Sequence, residues 1–234
     1  TPMSESTVPK TATTHVYRHI LDFPVEDQIL TELVEPSTKL LDVGTGATGR
    51  SALKASELGA QVTSIEINTE AIAEFGGTPE RSGLGLAAAD LLHLPFADQS
   101  FDLVQVALHG FDYVLGCRER MQGLNEMHRV VRPGGHVVFN AFNPVGLALA
   151  PSGFKPAMLK TRLKYLGTGG FLRNTMIDYN GLELHQAPVR VITNQAALAG
   201  LRRVSVRNLS GSTADPRKVA LFSKAPYYIF SRPR

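Results

Sequence analysis

The stretch LLDVGTGATGR, residues 40–50, constrains the fold of this chain more than any other. An apolar run leads into Gly44, Gly46 and Gly49, and Gly-x-Gly-x-x-Gly is the spacing of a tight turn from a strand into a helix. Such a turn belongs to an α/β sheet, and its free backbone N–H groups favour an anion at the helix N-terminus. Asp42 complicates that reading, because a carboxylate two residues before the first glycine opposes a pyrophosphate. A ligand with a positive centre and one carboxylate reverses the argument.

The remaining chain keeps the rhythm such a turn requires. Lys39–Val43 is predicted as a buried strand, and Gly49–Leu58 as a helix ended by Gly59. Gln61–Ile67 is the second strand, followed by a helix over Thr69–Phe75, capped by Thr69 and closed by Gly76-Gly77. Leu84–Ala89 and Phe101–Ala107 are the third and fourth strands, the latter apolar enough to be covered on both faces. A helix over Arg118–Val131 stops at Arg132–Gly135, and His136–Ala141 is the fifth strand. Upstream, Ile20, Phe23, Ile29, Leu30 and Leu33 suggest helical segments broken near Pro24. Downstream, Asn194–Ala199 reads as a helix, and Leu201–Leu209 and Tyr227–Ser231 as two strands whose link has no strong helix pattern.

The expected fold class is therefore α/β: a Rossmann-like doubly wound sheet, mostly parallel, with an antiparallel C-terminal edge hairpin. Residues 1–14, rich in Thr, Ser and Pro, are expected to be a disordered tail. Residues 15–234 suit one domain. Residues 143–192 break the rhythm and are expected to form an inserted lid, with Lys155, Lys160, Arg162, Lys164 and Arg173 as its cations and Gly167–Gly170 as a hinge.

Charge separates the two parts of the chain. Residues 1–150 hold 10 Lys/Arg against 18 Asp/Glu, and residues 151–234 hold 14 against 3. The second part suits either a solvated basic face or attraction of an anionic substrate or surface. The apolar run Val145–Ala150 is far short of a membrane span, and no charged-then-apolar leader opens the sequence. Cys117 is the single cysteine, which excludes an internal disulfide and a cysteine-based zinc site. A cytoplasmic setting and no metal are the expectations.

S-adenosylmethionine meets the demand that Asp42 makes. Its ammonium and sulfonium suit that carboxylate, while its own carboxylate can take the N–H groups from Gly44 to Gly46. Glu66, at the end of the second strand, stands where a carboxylate can accept both ribose hydroxyls of an adenosine, and Ile67 can wall the adenine. That acid serves NAD equally well, so a nicotinamide-dependent oxidoreductase stays open on Glu66 alone.

Residues 88–109, AADLLHLPFADQSFDLVQVALH, resemble the third and fourth motifs of class I S-adenosylmethionine-dependent methyltransferases, above all the ubiquinone/menaquinone methyltransferase-like group (methyltransferase type 11). LNEMHRVVRPGGHVVF (Leu124–Phe139) resembles the same group's helix, turn and fifth strand, and KAPYYIFSRP its antiparallel edge. The likeness covers roughly Lys39 to Ala141, with four motifs in order. It implies that Asp90 accepts the adenine amino group and that Tyr17, Thr45, Leu91 and Ala107 join Asp42, Gly44, Gly46, Glu66 and Ile67 around the cofactor, with S-adenosylhomocysteine as product.

Methyl transfer from a sulfonium is an in-line displacement, so a base is needed only where the acceptor must lose a proton. His109, after the fourth strand, is the candidate catalytic residue, set against the reading of a histidine that packs the pocket wall. His185, Tyr179 and Tyr17 are weaker acceptor-side candidates, His128 reads as a half-buried packing residue, and His93 as a residue that shapes the adenine-side loop. Asn143-Pro144 follows the fifth strand, not the fourth, so it is not the signature of amino-methylating nucleic-acid enzymes. With 7% aromatic residues and no RNA-binding motif, the sequence argues against a nucleic-acid substrate. The expected activity is methyl transfer to O, N or C of a small-molecule acceptor, with a catalytically silent S-adenosylmethionine-binding protein as the alternative. No feature bears on oligomeric state.

Overall fold

The computed structural model describes residues 24–77, 83–106, 108–149, 174–177, 182–211 and 215–234. The chain enters through α1 (Pro24–Leu33), β1 (Lys39–Val43), α2 (Arg50–Glu57), β2 (Gln61–Glu66), α3 (Thr69–Gly76) and β3 (Gly85–Ala88). It continues through β4 (Phe101–Val106), a 3-10 turn (Gly110–Tyr113), α4 (Cys117–Val130), β5 (Val131–Asn140) and α5 (Pro144–Leu149). A short pair follows, β6 (Thr175–Ile177) with β7 (Glu183–His185), then α6 (Val189–Leu198), β8 (Arg202–Arg207), α7 (Pro216–Phe222) and β9 (Tyr227–Ser231).

Seven strands form one sheet in the order β3-β2-β1-β4-β5-β9-β8. The pairs from β3 to β5 are parallel, and β9 runs antiparallel to both β5 and β8. The class I methyltransferase fold expected from the sequence is thus the fold observed. Alternation along the strands divides the core. Leu40, Leu103 and Val138 pack with Val25, Ile29, Ala52, Ala55 and Phe75 from α1, α2 and α3. Leu41, Val104, Val137 and Phe139 pack with Leu124 and Met127 of α4 and Ile192 of α6. Both faces are therefore covered, as parallel strands require. Among the described residues no helix is long and apolar enough to cross a membrane.

The structure corrects several boundaries. The link between the last two strands carries α7, where no helix is expected from apolar pattern; Asp215 caps it, accepting the Arg217 N–H at 2.9 Å, with Pro216 as its first residue. The cap of α3 is Asn68, whose Oδ1 accepts from Glu70 and Ala71, not Thr69. β5 starts at Val131 and carries Pro133-Gly134-Gly135 inside it as an irregularity of pairing, because Gly134 and Gly135 bond back to Arg232. α6 begins five residues before the expected Asn194, after Pro188. Residues 143–192 contain α5, the β6–β7 pair and the start of α6. The expected tail, Tyr17, Ala107, Tyr179, the hinge Gly167–Gly170 and the five lid cations lie outside the described residues.

Candidate functional site

The parallel order reverses between β1 and β4, which opens a crevice at the C-terminal ends of these strands. The glycine turn leaves β1 there, held down by Gly44 N–H and Thr45 N–H, both donating to Ile65 O, at 2.8 and 3.2 Å. Gly44 and Gly46 have φ of +74° and +63°, and a Cβ on either would meet nothing within 4 Å. Gly49 differs: at φ +56° its Cβ would lie 2.0 Å from the Phe75 ring, so this glycine lets α3 pack against the start of α2.

Asp42 is fully buried, and neither carboxylate oxygen has a hydrogen-bond partner. Burial pushes its carboxyl up to about 7; the Thr45 hydroxyl opposes this without well-aligned bonding, and the Glu26 charge adds to it. Glu26 is itself buried on α1 and accepts from Arg50 Nη2 at 2.5 Å, Gln105 Nε2 at 2.9 Å, Tyr227 Oη at 2.9 Å and the Ser51 hydroxyl.

Glu66 folds back on the turn. Its Oε2 accepts Gly46 N–H at 2.9 Å, and its Oε1 accepts Ile67 N–H and Asn68 N–H at 2.8 and 2.9 Å. Asp90 Oδ1 accepts Leu92 N–H at 2.9 Å, and the loop beyond it is pinned to α4. There Glu126 accepts Leu94 N–H, Gln122 donates to Leu92 O, and the Arg129 guanidinium donates to Leu94 O, Phe96 O and Asp98.

On the far side of the crevice, the turn after β4 carries His109 in a left-handed conformation, φ +62°. Its ring stacks on Phe142 with centroids 3.9 Å apart and planes 6° from parallel. Nδ1 lies 2.9 Å from Asp112 Oδ2, and Nε2 lies 3.1 Å from Asn140 Nδ2. The turn reaches back over β1: a Cβ on Gly110 would lie 3.9 Å from Val43 O.

Comparison with known proteins bears on this geometry. The family described as "Methyltransferase domain" matches residues 41–139. Demethylmenaquinone methyltransferase of Beutenbergia cavernae is 34% identical over 181 residues, covering 75% of this chain and 70% of that protein. The chain belongs to the class I methyltransferases of the ubiquinone/menaquinone methyltransferase-like group. A second relative of this methyltransferase, the ubiquinone/menaquinone biosynthesis C-methyltransferase UbiE of Geotalea daltonii, is 34% identical over 116 residues, 46% of the chain and 47% of the relative. In fold, the methyltransferase is similar to the CcbJ methyltransferase from Streptomyces caelestis, with a TM-score of 0.72 at 15% identity, covering 97% of this chain and 100% of that one.

S-adenosylmethionine is the methyl donor of this enzyme. The residues present fit it: a buried carboxylate without a hydrogen-bond partner stands beside a turn whose first two glycines, Gly44 and Gly46, face open space. The structure brings Asp42, Gly44, Thr45, Gly46, Glu66 and Ile67 together at the ends of β1 and β2. Asp90 and Leu91 follow β3 at the same sheet edge, Leu91 being buried in the core. His185 is buried on β7, and His128 is half-buried on α4 beside Gly200. Sequence reasoning missed Glu26, Asp112, Arg120, Arg129 and Asn140. Of these only Asp112 left a signal, as an acid three residues from His109; the others face partners distant in sequence.

Proposed function

We propose that this methyltransferase acts on a ring carbon or ring hydroxyl of a small reduced quinone-type acceptor. The observation that carries the reading is the division of the crevice: an unpartnered carboxylate, Asp42, ends one wall, and a stacked His109–Phe142 pair ends the other. The names of the relatives, demethylmenaquinone methyltransferase and ubiquinone/menaquinone C-methyltransferase, support the acceptor class.

When bound, the donor supplies an electrophilic methyl group on a sulfonium. Asp42 would face its positive charge, Glu66 would take the ribose hydroxyls and Asp90 the adenine amino group; the Gly44, Thr45 and Gly46 N–H groups, expected to take its carboxylate, are instead already bonded to Ile65 O and Glu66. Glu66 already spends lone pairs on three backbone N–H groups, so it holds the turn and the ribose in one geometry. Phe142 offers an apolar face to an aromatic acceptor, and His109 Nε2 takes the proton that a hydroquinone must lose. Asn140 now caps that nitrogen, so its amide has to give way when the acceptor enters. The lid expected over residues 143–192 is supported by Ala187, whose N–H donates to Phe142 O at 3.1 Å and so stands beside the ring. Its cations, and the basic balance of residues 151–234, suit an acceptor with an acidic group.

The test is turnover of methyl-labelled S-adenosylmethionine with reduced naphthoquinones and benzoquinones, with catechols, amines and carboxylic acids alongside. Labelled product with the reduced quinones, lost in His109→Gln while S-adenosylhomocysteine still binds, is expected. Turnover confined to amines or carboxylic acids overturns the acceptor class.

A further inference from the structure

The turn after β4 carries two successive non-glycine residues in the left-handed region, Leu108 at φ +36° and His109 at φ +62°. A Cβ crowds the backbone there, so such a turn persists only where bonds hold it. Asn140, buried at the end of β5, supplies one of those bonds. Its Oδ1 accepts the His109 backbone N–H at 2.8 Å, and the His109 carbonyl in turn accepts Asp112 N–H at 2.8 Å.

A backbone N–H can only donate, so this bond sets the orientation of the Asn140 amide. Nδ2 then faces His109 Nε2 at 3.1 Å as a donor, and Nε2 presents its lone pair. A neutral imidazole carries its proton on Nδ1, which lies 2.9 Å from Asp112 Oδ2. That oxygen also accepts the N–H of Phe142, whose ring stacks on His109. The alternative tautomer fails at the amide alone. A proton on Nε2 would meet the Nδ2 donor head on, and turning the amide would aim that donor at the His109 N–H instead. Either way a buried N–H is left without an acceptor, which costs more than the bond itself. Asp112 is the one charged group bonded to the ring among the described residues. His185 lies on β7, which packs against the same turn, and burial draws its ring down to about 3, so it is neutral.

We propose that Asn140 is a positioning residue for His109: bonded to both the backbone N–H and Nε2, it holds the left-handed turn and fixes the ring with its lone pair on Nε2. The inference rests on the His109 role proposed above and says what sets that role. Asp112 receives the Nδ1 proton and does not decide where it sits. An acceptor that displaces the amide must bring a hydrogen of its own to Nε2, as a hydroxyl does and a carboxylate does not.

The tautomer is read in the ligand-free protein by long-range proton–nitrogen correlation with 15N-histidine, His109 being assigned by its absence from His109→Gln. Wild type is expected to show the neutral Nδ1–H form. Asn140→Asp keeps an acceptor for the His109 N–H but turns the donor at Nε2 into a second acceptor. With a carboxylate at each nitrogen, His109 is expected to be doubly protonated at pH 7 and to lose the Nε2 proton only at higher pH. Asp112→Ala leaves the amide in place and is expected to keep Nδ1–H. In turnover, Asn140→Asp is expected to lose roughly 100-fold in kcat at pH 7 and to recover toward alkaline pH, with S-adenosylhomocysteine affinity nearly unchanged. A residue that only held the turn would be rescued by Asn140→Asp, because the backbone bond survives. An Nε2–H form in wild type, a neutral Nδ1–H form in Asn140→Asp at pH 7, or a change to Nε2–H in Asp112→Ala overturns the inference. Should Asp112→Ala fail to fold, wild type and Asn140→Asp decide it. The tautomer is measured without an acceptor, so it stands or falls separately from the quinone reading.

Discussion

At the end of β1, Asp42 is buried with neither oxygen hydrogen-bonded; beyond the end of β4, Asp112 is equally buried, but its Oδ2 accepts the Phe142 N–H and lies 2.9 Å from His109 Nδ1. Asp42 ends β1 and Asp112 lies in the turn after β4, so the two stand on the neighbouring strands between which the strand order reverses. Asp42 lacks a full compensating partner within the chain, since Glu26 beside it raises its carboxyl further and only Thr45 and Arg50 oppose. In the reading proposed above, a cationic ligand completes its wall. Asp112 belongs to a circuit closed by the chain itself, so its wall keeps its shape before any ligand arrives. A crevice of this kind gains donor affinity from one side and geometric definition from the other.

The sharpest test of this contrast is pH. Burial holds the Asp42 carboxyl up at about 7 in the folded chain, against the ordinary 3.8 of an exposed group. The unfolded chain therefore gives up this proton at lower pH, and the ligand-free protein loses stability as pH rises through that interval to about 7. A shift of this size is worth about 4 kcal/mol in full. Denaturant midpoints are expected to fall between pH 5 and pH 8 in wild type and to stay flatter in Asp42→Asn. Equal slopes would show that Asp42 is already compensated.

Glu66→Ala comes next in size. Loss of two charge-assisted bonds to the ribose is expected to weaken S-adenosylhomocysteine binding by about 2–3 kcal/mol, measured by calorimetry. An unchanged dissociation constant with an intact circular dichroism spectrum would remove Glu66 from the donor wall. On the other wall, Asn140→Ala deletes two hydrogen bonds to His109 and is expected to lower unfolding stability by about 1–2 kcal/mol while leaving that affinity alone. A large loss of S-adenosylhomocysteine affinity in this variant would break the division between the walls. The smallest effect concerns the sulfonium. Asp42→Asn should weaken S-adenosylmethionine more than S-adenosylhomocysteine, by less than about 1 kcal/mol because both ligands keep the ammonium. Equal losses would place the Asp42 effect on the ammonium or the turn.

Much of the fold was legible because its signals are local. Short apolar runs located β1, β2, β4 and β9 to within a residue, and the glycine spacing located the turn. α7 was missed although Asp215-Pro216 is a start signal, because seven residues with one buried side chain, Val219, give too little apolar pattern. β5 was shortened because Pro-Gly-Gly looks like a stop, whereas backbone bonds to Arg232, about a hundred residues away, hold it in the strand. Within the site, Asp42, Glu66 and Asp90 were legible because each ends a strand or follows one at a fixed offset. Glu26 was not, since four partners on α2, β4 and β9 make a buried network out of an acid that its own helix leaves unremarkable.

The sequence by itself determined the sheet, the turn and the acids that line its edge, because strand period, glycine spacing and strand-end position are properties of neighbouring residues. Tertiary structure alone decided which charges are compensated. Asp42 and Asp112 look alike in the chain, but one is enclosed without a bonded partner and the other is bonded to the N–H of Phe142 and lies against the His109 ring nitrogen. Compensation depends on distances of a few ångströms between elements far apart in sequence, and only folding sets those distances.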